Sequence, residues 1–144
     1  MRRKIILDTD PGVDDAYAIQ FLLNADVDIL GFTTFDIFTR QIYFILLRVS
    51  GNCKADQGAR NLCRLLHVNK RQIPIYIGQM GPVIKQPIES CSEYHGLDGF
   101  GDVPDFHPSV ETTDYSNIKK EKAVLKLVEL IEQNPGEVDL LAIG

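Results

Sequence analysis

Four carboxylates crowd eight consecutive residues, Asp8-Thr9-Asp10-Pro11-Gly12-Val13-Asp14-Asp15, directly behind the apolar run Lys4 to Leu7. An apolar run that stops at Asp-Pro-Gly reads as a buried strand ending in a polar turn. A helix is expected to begin at Asp14 or Asp15. Acidic residues suit a helix N-terminus, and Ala16, Ile19, Leu22 and Leu23 then recur at helical spacing. Strand, acidic turn and helix in this order place the carboxylates beyond the carboxyl end of a strand, where open α/β sheets bind ligands.

The pattern continues along the chain. Val27 to Thr34 reads as a second strand, and about Lys54 to Leu66 as a second helix. That helix has Ala55, Ala59, Leu62 and Leu66 on one face and Asn52 as its cap. Ile73 to Gly78 is a third strand, followed by a Gly- and Pro-rich stretch to about Ser116. Lys119 to Gln133 is a third helix with Val124, Leu127, Val128 and Ile131 on its buried face, and Val138 to Ile143 is a fourth strand. Apolar strands alternating with amphipathic helices predict an α/β fold: an open, mainly parallel, Rossmann-like sheet with helices on both faces. Residues 36–50 fit no period, and the chain stops directly after a buried strand, so it reads as a single domain over residues 1–144 that is cut short, with an atypical insert.

Composition narrows the functional classes. The chain of 144 residues is 44% hydrophobic and 24% charged, which suits a domain with a sizeable core. A net charge of -5 speaks against a surface built to neutralise phosphates, so nucleic acid is not expected as a partner. Apolar stretches are broken well before the roughly 20 residues that a bilayer requires, and Ile5-Ile6-Leu7 is too short for a signal-peptide core of about 7–15. Cys53, Cys63 and Cys91 lack metal-ligand spacing and read as reduced thiols, which points to a cytoplasmic protein.

Carboxylates packed together repel one another and resist ionising. A hard divalent cation relieves that, since Ca²⁺ accepts about six to eight oxygen ligands, and a bound metal turns coordinated water into a nucleophile. The plainer alternative is that Asp14 caps a helix while Asp8 and Asp10 form a solvated turn.

The same residues carry a resemblance. Asp8 to Ala16 (DTDPGVDDA) resembles the N-terminal signature of the inosine-uridine preferring nucleoside hydrolases. Further segments are similar in the same order: Gly31-Phe32-Thr33-Thr34 with Gly51-Asn52, Asn61 to Leu66, Ile73 to Gly78, His95 to Asp102, and Val138 to Gly144. Nearly the whole chain is covered apart from residues 36–50.

The resemblance implies calcium-dependent hydrolysis of the N-glycosidic bond of purine or pyrimidine ribonucleosides to ribose and free base. Asp10 would bind Ca²⁺ and act as general base on the metal-bound water, and Asp15 would be a second, bidentate Ca²⁺ ligand. Asp14 would hold a ribose hydroxyl, Asn52 would stand at the edge of the ribose pocket, and His95 would close over the substrate. Asp8 would support the cluster from behind. A cytosolic role in nucleoside catabolism and purine salvage is implied, with a small-molecule ribonucleoside as partner, and there is room for a homo-oligomer. His67 and His107 read as ordinary histidines.

The chain departs from the family in three ways. It is about half the usual length, so residues that complete the calcium shell and protonate the leaving base have no counterpart here. Residues 36–50 separate Thr33-Thr34 from Gly51-Asn52, as an unremoved intron would. Phe100 stands where Leu or Ile is more usual. Two alternatives follow: an inactive, truncated member or pseudoenzyme, and, more remotely, a haloacid-dehalogenase-type phosphatase with Asp8 as nucleophile, Asp10 as acid/base and Mg²⁺ bound.

Overall fold

The apolar runs become strands, and every pairing between them is parallel. The computed structural model describes residues 2–34, 52–78, 92–103 and 108–144. In chain order these form β1 (Arg3–Thr9), α1 (Val13–Asn24), β2 (Val27–Thr34), α2 (Ala55–Val68), β3 (Ile75–Ile77), α3 (Ser92–His95), β4 (Ile118–Lys119), α4 (Ala123–Gln133) and β5 (Val138–Ala142). The sheet order is β4-β3-β2-β1-β5. The chain therefore steps outward from β1 through β4 and then returns to the other side of β1. The direction reverses between β1 and β5, and the crevice at such a reversal is where open α/β sheets bind ligands.

Pairing in register gives each face its own layer. Leu7 lies beside Phe32 and Phe32 beside Ile75. These three join Ile19 and Leu23 of α1 and Ala59, Leu62, Cys63 and Leu66 of α2 in the main core. Each fully buried Leu, Ile or Phe there contributes about 1.5–3 kcal/mol relative to exposure. On the opposite face Tyr76 meets α4, with the Lys126 ammonium 5.9 Å from its ring centroid. Helices thus cover both faces, as the alternating pattern predicts. No helix among the described residues is long and apolar enough to cross a membrane.

Several boundaries differ from the sequence reading. The first helix starts at Val13, because Gly12 occupies the cap and donates its N–H to Asp15 Oδ2 at 3.3 Å. The second starts at Ala55 with Lys54 at its cap, so Asn52 is not a capping residue; its amide is taken by carboxylates. Ile118–Lys119 forms a short strand where a helix start is expected, and α4 begins only at Ala123. Two residues are too few to show any periodicity, and pairing of Ile118 with Ile75 decides their state.

The expected buried face of α4 is also different. Val124, Val128 and Ile131 are 67%, 51% and 43% exposed, and Ala123 is the residue of this helix that is buried. Val124 and Leu127 border a cleft of about 190 Å³ against Asp8, Thr33 and Thr34, so that face is only partly covered among the described residues. Residues 36–50, His107 and Cys91 lie outside the described residues. Cys63 is a buried free thiol, pushed up to about 12 chiefly by burial, which makes it inert.

The end of α2 carries one strained residue. Lys70 N–H bonds to His67 O and Arg71 N–H to Leu66 O, which closes a Schellman turn with Lys70 at a φ of 52°. A side chain there costs about 1–2 kcal/mol, partly offset in glycine by its larger unfolded-state entropy. Lys70→Gly is expected to raise stability by about 0.5–1 kcal/mol, read as a higher urea midpoint at unchanged slope.

Candidate active site

Pro11 and Gly12 turn the chain from β1 into α1, and the acidic side chains gather around that turn. Asp15 is held on both oxygens. Its Oδ1 accepts the Thr9 hydroxyl at 2.6 Å, and its Oδ2 accepts Asn52 Nδ2 at 2.6 Å as well as the Gly12 N–H. Asn52 then links the cluster: its backbone N–H donates to Asp10 Oδ2 at 2.8 Å, and its amide also reaches Asp14 Oδ1 at 3.4 Å. His95, at the end of α3, brings Nδ1 to 3.4 Å from the Val13 N–H and 3.9 Å from Asp14 Oδ1. The close approach requires glycine at position 12, where a Cβ would stand 2.6 Å from Asn52 Nδ2 and 2.7 Å from His95 Nδ1. Gly12→Ala is expected to push both side chains outward and cost about 1–2 kcal/mol in a thermal melt.

Five of the six residues singled out in the sequence, Asp10, Asp14, Asp15, Asn52 and His95, therefore meet at one place. Asp8 does not join them in any described contact. Its carboxylate accepts the Thr33 hydroxyl and lines the cleft under α4.

A second layer that the sequence reading did not single out fixes this turn. Asn61 is fully buried in α2 and donates to Pro11 O at 3.1 Å and Asp98 O at 2.7 Å. One amide thus ties the acidic turn to the glycine-rich loop after α3. That loop is organised by its own acids. Asp98 accepts the N–H groups of Phe100 and Asp102, and Asp102 accepts those of Leu97 and Asp98. Gly101 N–H bonds back to His95 O at 2.7 Å, so loop and His95 are held together. A polar residue among the apolar positions of an amphipathic helix was the available signal for Asn61.

Electrostatics follow from the crowding. Asp10 is buried, and burial, with Asp15 and Asp14 adding repulsion, pushes its carboxyl up to about 6. Asp8 is raised too, by burial, with the Thr33 hydroxyl opposing. Crowding thus disfavours the charged form of these carboxyls, which either a proton or a bound cation relieves. Carboxylate oxygens are the hard donors that Ca²⁺ takes, so the donor chemistry of Asp10 and Asp15 fits such an ion. The number of donors is a partial shell: among the described residues no three His, Cys, Asp or Glu side chains converge as a metal site. Gly144, just beyond β5, closes on the same carboxylate. A Cβ there would lie 2.7 Å from Asp10 Oδ1.

A parallel α/β sheet with carboxylates gathered at its point of reversal has the layout in which open α/β sheets bind ligands. The profile of the inosine-uridine preferring nucleoside hydrolase family matches residues 5–144, and the chain belongs to that family. It is 30% identical over 143 residues to a probable uridine nucleosidase 2 of Oryza sativa subsp. japonica, covering 98% of this chain and 37% of that protein. It is 32% identical to uridine nucleosidase 1 of Arabidopsis thaliana, with 98% and 37% covered. A pyrimidine-specific ribonucleoside hydrolase, RihB, of Escherichia coli strain K12 / DH10B is 30% identical, with 99% and 39% covered. The solved structure of an inosine-guanosine nucleoside hydrolase superposes with a TM-score of 0.74 at 30% identity, covering all of this chain and 40% of that one. The chain thus spans about two fifths of the length of these relatives. Family membership removes the phosphatase alternative.

Proposed function

We propose that this chain carries the acidic part of a site that hydrolyses the N-glycosidic bond of purine or pyrimidine ribonucleosides, releasing ribose and free base with the help of Ca²⁺. The observation that carries the reading is Asn52 joining Asp10, Asp14 and Asp15 at the sheet's point of reversal. The relatives' own names, nucleosidase and ribonucleoside hydrolase, support the same reaction class.

In this reading Asp10 and Asp15 hold the cation, and Asp10 takes the proton from the attacking water. Without a cation, burial and its acidic neighbours push this carboxyl up to about 6, and a bound Ca²⁺ would lower it and keep Asp10 ionised as a proton acceptor. A bound Ca²⁺ would neutralise the cluster and lower the pKa of a water at the site. Asp14, the exposed carboxylate at the rim, accepts a ribose hydroxyl. Asn52 stands at the edge of the ribose pocket while it orients Asp15, and His95 closes over the sugar from the loop side. Asp8 supports the strand end through Thr33. As the base leaves, the ribosyl group gains positive charge, and the surrounding carboxylates stabilise it. We place the reaction in cytosolic nucleoside catabolism and purine salvage.

A second reading, binding without turnover, is favoured by the partial ligand set among the described residues. Ribose release from inosine and uridine, with calcium present or chelated, separates the two. Turnover predicts calcium-dependent release that Asp10→Ala lowers by about 10²–10⁴-fold. Absence of release under every condition would overturn turnover. A melting temperature that still rises with calcium and nucleoside together would then leave the binding reading standing.

A further inference from the structure

The crevice just described uses the carboxyl ends of the strands. At the opposite, amino-terminal end of the sheet a recess of about 320 Å³ opens between the end of α2 and the turn before β4. His67, Lys70, Arg71 and Gln72 line one side, and Asp114 and Asn117 the other. The Schellman turn sets the consecutive cations Lys70 and Arg71 at the rim.

The charges of the recess do not cancel. Asp114 accepts both the N–H and the hydroxyl of Ser116 at 2.8 Å, which holds its carboxyl below the usual range, with His67 and Lys119 adding to the effect. It therefore stays ionised, and the recess sets the two cations Lys70 and Arg71 against this one carboxylate. Arg71 spends Nη1 on Leu23 O at 3.2 Å. Among the described residues the side chains of Lys70 and His67 have no hydrogen-bond partner. The negative end of α2 does not oppose an anion strongly, because the carbonyls of Leu65, Leu66 and His67 already accept from Asn69, Arg71 and Lys70.

Asn117 makes the recess more than a basic surface. It is 6% exposed and borders the recess, yet its side-chain amide bonds to nothing among the described residues. Only its backbone is used, its C=O accepting the Ile75 N–H at 2.8 Å. No buried side-chain polar atom among the described residues lacks a partner, so this amide faces the water of the recess and is free to donate to a ligand seated there.

We propose that this recess binds a phosphate group, with the Lys70 ammonium and Arg71 guanidinium supplying charge and the Asn117 amide donating from the buried side. The site is separate from the acidic crevice, so this proposal stands or falls without the proposed hydrolysis.

The test is a titration of the ¹⁵N-labelled chain with inorganic phosphate at constant ionic strength, with chloride as reference. Saturable shifts of the Asn117 side-chain amide and of the Lys70 and Arg71 backbone amides are expected. Lys70→Gly, which relieves the strained turn and so keeps the fold, should weaken binding about five- to tenfold; Lys70→Gln should do the same with a side chain retained. Tighter binding of ribose 5-phosphate than of inorganic phosphate would assign a phosphate ester, and equal affinity free phosphate. Shifts that chloride reproduces, that fail to saturate, or that persist unchanged in both variants would overturn the proposal.

Discussion

Asp10→Asn should melt at a higher temperature than the unsubstituted chain in calcium-free buffer at pH 8, and should lose the further rise that calcium gives. The first effect follows from linkage. The Asp10 carboxyl stands near 6 in the folded chain, against an ordinary value of 3.8, because burial and its neighbours Asp15 and Asp14 disfavour the charged form. The folded state therefore holds this proton more tightly than the unfolded state. Its penalty is absent below about pH 4, grows as pH rises from there to about 6, and is complete above that. Each tenfold gain in proton affinity corresponds to about 1.4 kcal/mol. Screening by water and relaxation of the site reduce the full figure, so the asparagine should gain about 1–2 kcal/mol, or about 4–8 °C. Asparagine can still accept the Asn52 N–H, so the fold of the turn is kept. The second effect follows from mass action, since a cation that binds only the folded site raises its stability and needs this carboxylate to do so. Melts of both proteins from pH 4 to 8 check the first half. Parallel curves would refute the buried, repelled carboxyl. An undiminished calcium response in the variant would remove Asp10 from the metal site.

Asn61→Leu should destabilise the fold by about 1–3 kcal/mol. Leucine keeps the volume in α2, so cavity formation contributes little. What is lost is the amide that serves Pro11 O and Asp98 O. An orphaned buried carbonyl costs about 1–3 kcal/mol; Pro11 O keeps only the weak Cys53 Sγ–H donor at 3.6 Å, whereas the part-buried Asp98 O can turn to water. The same change should release the loop of residues 96–102 from the acidic turn, since the Asn61 amide donates to both. Urea unfolding measures the first effect, and hydrogen exchange at Gly101, whose N–H is bonded to His95 O, measures the second. A loss below about 0.5 kcal/mol would show that the two carbonyls find other donors.

The contrast between these two residues shows what was readable in the chain. Asp10, Asp14 and Asp15 announce themselves through charge density next to an apolar run, and the parallel sheet follows from alternating periods. Asn52 and His95 were reachable only through the resemblance, because their partners are far away in sequence. Asn61 and Thr9 receive no role from the sequence: a polar residue among the apolar positions of α2 marks Asn61 as unusual, but nothing local says which segment a buried amide or hydroxyl serves. The short strand Ile118–Lys119 has no period of its own and is strand because β3 lies beside it. The apolar face of α4 was correct as a pattern and wrong as burial. Periodicity says which side of a helix is apolar, whereas a second layer decides whether that side is covered.

The position of β5 beside β1 bears on the order of assembly. Pairing of β1 with β2 closes a short βαβ connection through α1, and that unit can form while the rest of the chain is still loose. Pairing of β1 with β5 joins segments such as Arg3 and Asp139, 136 residues apart. Contacts of that separation incur the largest loop-closure entropy and form slowly. The wall that Gly144 places against Asp10 is therefore expected to close late, leaving the carboxylate open to water and ions until β5 docks.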